Sequence, residues 1–370
     1  MLLCIREAAV GEAATPKIMS TTTEETTTLP SGWKRGVSRT LNRPYYYHPD
    51  SKHTQWHYPT PAEAADPRAT KARMMKEQQQ KKRLKTTSSS PSKKSQSLPS
   101  VAIIVPYRDL HVSQNRAKHL SKFVPYMKQY LTNLVTKKKI QDYHIYIIEQ
   151  SNDQRKFNRG KLLNIGFDYA LKRSAQHPPK HTIFIFHDVD LLPQPDVSEW
   201  YATYPTQPIH IARVWDRYSN NSKYFGGIVS FSETDMKRIN GYPNTFWGWG
   251  GEDDEMQKRL ETCGIKWVGP TSGTIQDLEM MDLQTKLGFL KENKEWKCMV
   301  KWEALEEHEQ TWKVNGLKDL GYDILKIERM DKEDEMNGGN GSKVTKLTTD
   351  VKLNGEHWAN AKCGVEYLPP

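Results

Sequence analysis

Three apolar runs of strand length, Val101–Val105, Tyr143–Ile148 and Thr182–Phe186, alternate with two stretches of helical periodicity. That order restricts the fold more than any other feature of the chain. A run that is apolar at nearly every position suits a strand covered on both faces. Between the runs, Leu120, Phe123, Met127 and Leu131 recur at three- to four-residue spacing and predict a helix over 113–134. A second helix is expected over 158–173. Strand–helix–strand–helix–strand predicts an α/β domain whose strands lie parallel, joined by right-handed crossovers. Ligands of such sheets bind beyond the carboxyl ends of the strands. Arg108, the polar stretch 152–159 and the pair Asp188 and Asp190 all emerge at that edge.

This domain does not fill the chain. Of 370 residues only 36% are hydrophobic, low for one compact globule of that size. Texture divides the sequence into a Thr-rich tail (1–26), an aromatic-dense segment (27–61), a Gln/Lys/Ser-rich linker (62–99), the α/β domain (100–353) and a C-terminal tail (354–370). Net charge is +10, with Lys+Arg 54 against Asp+Glu 44, but much of the basic excess lies in 71–85. It reads as a solvated linker, so nucleic acid is not an expected partner. Cys4, Cys263, Cys298 and Cys363 include no C-x-x-C pair, which argues against a zinc knuckle. No run of about 18 apolar residues occurs, so no membrane span is expected. Sparse cysteines and the lack of an anchor favour the cytoplasm, with the Golgi lumen as the alternative if the N-terminus is incomplete.

Two carboxylates one residue apart at a strand end, as in Asp188-Val-Asp190, can share a hard divalent cation that bridges a nucleotide diphosphate. Alone, the pattern equally describes an acidic turn. Trp247-Gly-Trp-Gly-Gly-Glu-Asp-Asp-Glu255 is more specific. Its glycines permit tight turns, and Trp247 and Trp249 offer flat faces for the C–H side of a sugar ring. Glu252, Asp253 and Asp254 crowd the start of a helix, where one can take a proton from an attacking hydroxyl. Arg159 is placed to clamp phosphate and Phe157 to pack against a base. Tyr224-Phe-Gly-Gly227 can set a phenol over a bound sugar.

These blocks occur in the order of a known family. Pro106-Tyr-Arg108, Arg116-x-x-His119-Leu120, Phe157-Asn-Arg159-x-Lys161-Leu-Leu-Asn164, Asp188-Val-Asp190-Leu-x-Pro193, Tyr224-Phe-Gly-Gly227 and Asn240-Gly-x-Pro243 leading into Trp247–Asp254 resemble the beta-1,4-galactosyltransferases, which have the Rossmann-like GT-A fold. The resemblance implies inverting transfer of galactose from UDP-galactose to a glycan or glycoprotein acceptor. Pro106, Tyr107, Arg108, Arg116, Phe157, Arg159, Asp188, Val189, Tyr224, Gly227 and Trp249 would bind the donor. Trp249, Gly250, Gly251, Asp253 and Asp254 would bind the acceptor, with Asp253 as the base and Glu252 beside it. Tyrosine at 224 goes with galactose as the donor sugar. N-acetylglucosamine is the family's commonest acceptor, while His187 before Asp188 is similar to the xylose-accepting branch.

Asp190 would bind manganese or magnesium, but the family completes its metal site with methionine-x-x-histidine beyond the acidic cluster. Counting on without gaps puts Glu279 and Asp282 there, and a small shift puts Asp277 and Met280. Glu279 and Asp282 are taken as the remaining ligands; His308 is a weaker substitute, read as a surface residue on a helix over 302–312. The family's disulfide cysteines are not evident. A second resemblance covers Leu29-Pro-x-Gly-Trp33, Tyr45-Tyr-Tyr47 and Thr54-Gln-Trp56-x-x-Pro59, which look like a WW domain, an all-β module. It implies a core of Trp33, Tyr46 and Pro59 and a groove of Tyr45, Tyr47 and Trp56 for a Pro-rich peptide. The altered metal segment leaves a second reading open, a catalytically silent sugar-nucleotide-binding scaffold recruited through that module.

Overall fold

Strands form where apolar residues run without a break, and the two faces of one strand show why. In a computed structural model of the chain, the described residues are 29–37, 44–50, 53–55, 59, 97–109, 114–218, 221, 223–331 and 341–353. The chain divides into two units, Met1–Lys94 and Ser95–Pro370. In the second, β4 (Ser100–Tyr107) is buried along its whole length. Its alternate residues serve two cores. Val101, Ile103 and Val105 pack with Phe123, Met127 and Leu131 of α1 (Arg116–Thr136) on one face. Ala102 and Ile104 pack with Leu162, Leu163 and Phe167 of α2 (Arg159–Gln176) on the other. The period-2 geometry of a strand thus divides one apolar run between two helices. Gly166 lets α2 lie close, because a β-carbon there would collide with Ile104 of the sheet.

The first unit holds β1 (Lys34–Val37), β2 (Pro44–His48) and β3 (His53–Gln55) in an antiparallel sheet of that order. Trp33 and Pro59 are buried, and His48 meets the Trp33 ring edge-on at 5.7 Å. Tyr45 and Tyr47, two apart on β2, share a face with ring centroids 5.8 Å apart. Trp56, expected beside them, lies outside the described residues, as do the 1–26 and 354–370 tails and most of the 62–99 linker.

The second unit continues with β5 (Asp142–Gln150), β6 (Ile183–His187), β7 (Leu191–Pro193), β8 (Ile209–His210), β9 (Ile228–Phe231), α3 (Glu252–Thr262), β10 (Ile275–Asp277), α4 (Leu283–Glu292), α5 (Lys301–Glu306), α6 (His308–Thr311), β11 (Tyr322–Arg329) and β12 (Val344–Val351). Strands β4, β5 and β6 lie parallel as expected. The whole sheet, however, is mixed, in the order β11-β12-β5-β4-β6-β9-β8. At one edge β9 runs antiparallel to β6 and β8 to β9. At the other, β12 inserts parallel to β5 with β11 antiparallel outside it. Strands as short as β8 and β9 carry too few residues for a periodicity signal. The β12–β5 pairing joins segments far apart in sequence, which local pattern cannot register. Separately, β7 and β10 form an antiparallel ribbon in which Asp277 faces Leu191. No helix among the described residues is long and apolar enough to cross a membrane.

Candidate active site

A cavity of about 480 Å³ opens at the carboxyl edge of the sheet, and residues from every strand end anticipated there line it. Arg108, Asp188, Asp190, Arg159 and the loop and helix start at 248–254 share this one space. Pro106, Tyr107, Phe157, Val189, Tyr224, Gly250 and Gly251 line it too, whereas Gly227 lies behind it, its carbonyl accepting from the Asp188 amide at 2.9 Å. Arg108 follows β4 and is held by the loop after β5: one guanidinium nitrogen donates to Asp153 Oδ1 at 2.9 Å and another to the Arg155 carbonyl at 2.6 Å. The Asn158 side chain caps α2 by accepting from the Lys161 amide at 2.9 Å, which sets Arg159 as the first helical residue.

Arg159 ties the β6 tip to the start of α3. Its Nε donates to Asp188 Oδ1 at 2.7 Å and Nη1 to Asp253 Oδ1 at 3.0 Å, with Glu252 Oε1 at 3.6 Å. Its Nη2 is buried without a hydrogen-bond partner among the described residues. A buried unpaired donor is costly, and the residue that carries it lines the cavity. Burial, reinforced by Glu252, Asp188 and Asp254, pushes the Asp253 carboxyl well above the usual range despite the opposing Arg159 charge. A raised pKa makes the ionised carboxylate a stronger proton acceptor than an ordinary one. Only glycine fits at 226, since a β-carbon there would collide with the Asp253 carboxylate.

The Trp247–Gly251 loop is anchored by its backbone. Trp249 donates its amide to the Trp296 carbonyl at 2.7 Å and accepts from the Cys298 amide at 3.0 Å; the residue is 36% exposed and lines the cavity. Gly248 has φ 92°, and a β-carbon there would lie 2.7 Å from the Lys297 backbone. Asp254 pairs with Lys301 at 2.7 Å. Tyr224 stacks on Tyr218 at 4.0 Å between ring centroids. His187 stands behind the acidic tip rather than in the cavity. It is fully buried, its Nδ1 donating to the Asp188 carbonyl at 2.8 Å, which leaves Nε2 to accept from the Tyr201 hydroxyl at 2.8 Å. Burial holds its pKa down at about 4, so the ring is neutral.

The residues expected to hold a metal are only partly brought together. The β7–β10 ribbon carries Glu279 beside Asp190, with the Leu278 amide donating to the Asp190 carbonyl at 2.8 Å. Between the two carboxylates stands Arg116, which reaches Asp190 Oδ2 at 2.6 Å and Glu279 Oε1 at 2.7 Å. Burial works against ionisation of Asp190, yet the Arg116 charge and hydrogen bond outweigh it and hold the carboxyl at about 2. Asp282 does not join them; it is exposed and caps α4 by accepting from the Thr285 amide at 2.7 Å. In the shifted register, Met280 is 89% exposed and Asp277 is paired with Arg217 at 2.6 Å. His308 is not a surface residue: it is buried, bridging Glu255 and Thr262 at 2.9 Å each, and the helix expected over 302–312 breaks at Glu307 into α5 and α6. Among the described residues no group of three or more Asp, Glu, His or Cys side chains is arranged to hold a metal ion. The donor set present therefore does not fit one.

Sequence reading missed Arg217, Lys286, Gly226 and Tyr218. Arg217, Lys286 and Tyr218 lie in no recognisable motif and reach the site through fold contacts, whereas Gly226 sits within the Tyr224-Phe-Gly-Gly227 block, where only its approach to Asp253 reveals its part.

Comparison with known proteins agrees with this architecture. A family described as the N-terminal region of glycosyl transferase group 7 matches residues 61–203, and one described as the N-terminal domain of galactosyltransferase matches 206–284. Mouse beta-1,4-galactosyltransferase 4 is 33% identical over 241 residues, covering 64% of this chain and 62% of that protein. Human beta-1,4-galactosyltransferase 1 is 33% identical over 232 residues, covering 62% of this chain and 52% of that protein. The chain thus spans less than two thirds of the length of these relatives. The catalytic domain of Drosophila beta-1,4-galactosyltransferase 7 with xylobiose superposes with a TM-score of 0.53 at 24% identity, covering 72% of this chain and 99% of that one. A mutant of the same enzyme, solved with manganese, UDP-Gal and xylobiose, matches at 23% identity with the same coverage and TM-score. With the two family regions together covering more than half of its length and a mixed α/β GT-A-like sheet beneath them, the chain belongs to the beta-1,4-galactosyltransferase family.

Proposed function

We propose that the Ser95–Pro370 unit transfers galactose from UDP-galactose to a hydroxyl of a sugar acceptor, with inversion at the anomeric carbon. One observation carries the reading: Arg159 joins Asp188 at the tip of β6 to Asp253 at the start of α3, so a diphosphate site and a proton acceptor share one cavity. The acceptor oxygen attacks the anomeric carbon from the face opposite UDP, and its proton passes to Asp253. Phe157, Pro106 and Tyr107 flank the nucleotide, and Arg108 and Arg159 face its phosphates. Tyr224 lies against the galactose, and Trp249 offers its ring to the acceptor. Glu252 and Asp254 present acceptors for sugar hydroxyls. The sugar accepted is N-acetylglucosamine or xylose, the second being the residue type in the Drosophila neighbour's ligand. A screen of nucleotide sugars against both acceptors should give a beta-1,4-galactoside from UDP-galactose; absence of transfer from every donor would remove the reading.

The Met1–Lys94 unit we propose to be a WW module that binds Pro-rich peptides. The support is its three-stranded antiparallel order, the buried Trp33 and Pro59, and the side-by-side Tyr45 and Tyr47 rings, which with Trp56 would form the ridges that grip a polyproline II helix. Titration of the full chain with a Pro-rich peptide should saturate, and Tyr45→Ala should weaken binding about tenfold, the share of one aromatic anchor. Equal binding by both proteins would refute the groove assignment.

A further inference from the structure

The segment expected to supply metal ligands does something else. Glu279 gathers three cations: Arg116 Nη2 and Lys286 Nζ each lie 2.7 Å from its Oε1, and Arg217 Nη1 lies 2.9 Å from its Oε2. Arg116 also holds Asp190 at 2.6 Å and Arg217 also holds Asp277 at 2.6 Å. The three carboxylates and three cations balance. All three cationic side chains are shielded, at 17% exposure for Arg116, 5% for Arg217 and 4% for Lys286, yet all three line the cavity. Arg217 is further seated over the Trp215 ring at 4.7 Å.

On the donor reading above, we infer that Arg116, Arg217 and Lys286 meet the charge of the nucleotide diphosphate, so that the nucleotide binds without a divalent cation. Guanidinium forks and an ammonium group suit phosphate oxygens, and fixed Arg and Lys side chains serve as phosphate clamps in the same sense as a metal ion. A dication between Asp190 and Glu279 would have to displace Arg116 from both carboxylates and sit among like charges. In the transfer step the bond from the anomeric carbon to the β-phosphate oxygen breaks and its electron pair stays on UDP. The acceptor oxygen forms the new bond to that carbon, and the acceptor proton goes to Asp253. The negative charge left on the β-phosphate falls to the three cations, with the carboxylates of Asp190, Asp277 and Glu279 holding them in place.

Calorimetric titration of UDP into the full chain, once in EDTA and once in manganese, tests this. Dissociation constants within about twofold of one another are expected, since no metal term enters the binding. In EDTA, Lys286→Ala and Arg217→Ala should each weaken UDP about tenfold or more, as loss of a charge-assisted contact does, while Lys286→Arg restores most of the affinity. Binding seen only with manganese overturns the inference and leaves the donor reading standing. A protein with an intact melting transition that binds UDP in neither buffer overturns both.

Discussion

Replacing Asp253 with asparagine should lower the turnover of galactose transfer by about 10²–10⁴-fold, the usual worth of a general base, while UDP still binds. The change is isosteric, so the hydrogen bond from Arg159 at 3.0 Å and the tight approach of Gly226 are preserved. What is lost is the proton acceptor alone. Burial, with Glu252, Asp188 and Asp254 nearby, raises this carboxyl. Only the ionised form takes a proton, so the wild-type rate should fall as pH drops through the raised pKa. Its acid limb should lie above the ordinary carboxylate range, and in Asp253→Asn that limb should disappear from the residual rate. Initial rates from pH 5 to 9 with saturating donor would show it. Near-normal turnover by the variant would assign the base elsewhere. A wild-type protein that binds UDP-galactose but never turns it over would instead favour the silent scaffold.

The second large effect concerns stability. Arg159→Met keeps the aliphatic stem but removes the charge that Asp188, Glu252 and Asp253 share. Glu252, which is buried, and Asp188 and Asp253, which are half-buried, then lack their counter-ion, a loss of about 3–5 kcal/mol by the measure of a buried ion pair that loses one partner. For a domain of this size that lowers the melting temperature by roughly 10 °C. All three carboxyls already sit above their usual values, with burial the leading cause and Arg159 opposing it. Removing Arg159 raises them further. An acid whose folded pKa is raised keeps its full stability at low pH and loses it as pH climbs through that folded value. The deficit of the variant should therefore be greatest at neutral pH and shrink as pH falls through the raised pKa values. Melting curves of both proteins across this range check it, and a deficit independent of pH would show that the loss is one of packing.

Residues with a local reason for their place were legible before any coordinates. Val101–Val105 is a buried strand because every side chain is apolar and either face can take it. Asp188 and Asp190 lie at a sheet edge because a strand ends there. Gly248 and Gly251 turn where a β-carbon would not fit. The meeting of these blocks in one cavity followed from the topology of parallel strands. What local pattern could not reach was decided by pairing between distant segments. The β7–β10 register brought Glu279 to Asp190, and the fold around it delivered Arg116, Arg217 and Lys286 from three other stretches of chain. A carboxylate read from sequence as a metal ligand thereby became the anchor of a cation cluster. His308 likewise entered the core because Glu255 and Thr262 of α3 satisfy both its ring nitrogens. Burial period and turn chemistry are written in neighbouring residues and so were determined by the sequence alone. Which opposite charges face each other depends on register across the fold, and only the tertiary structure decided that.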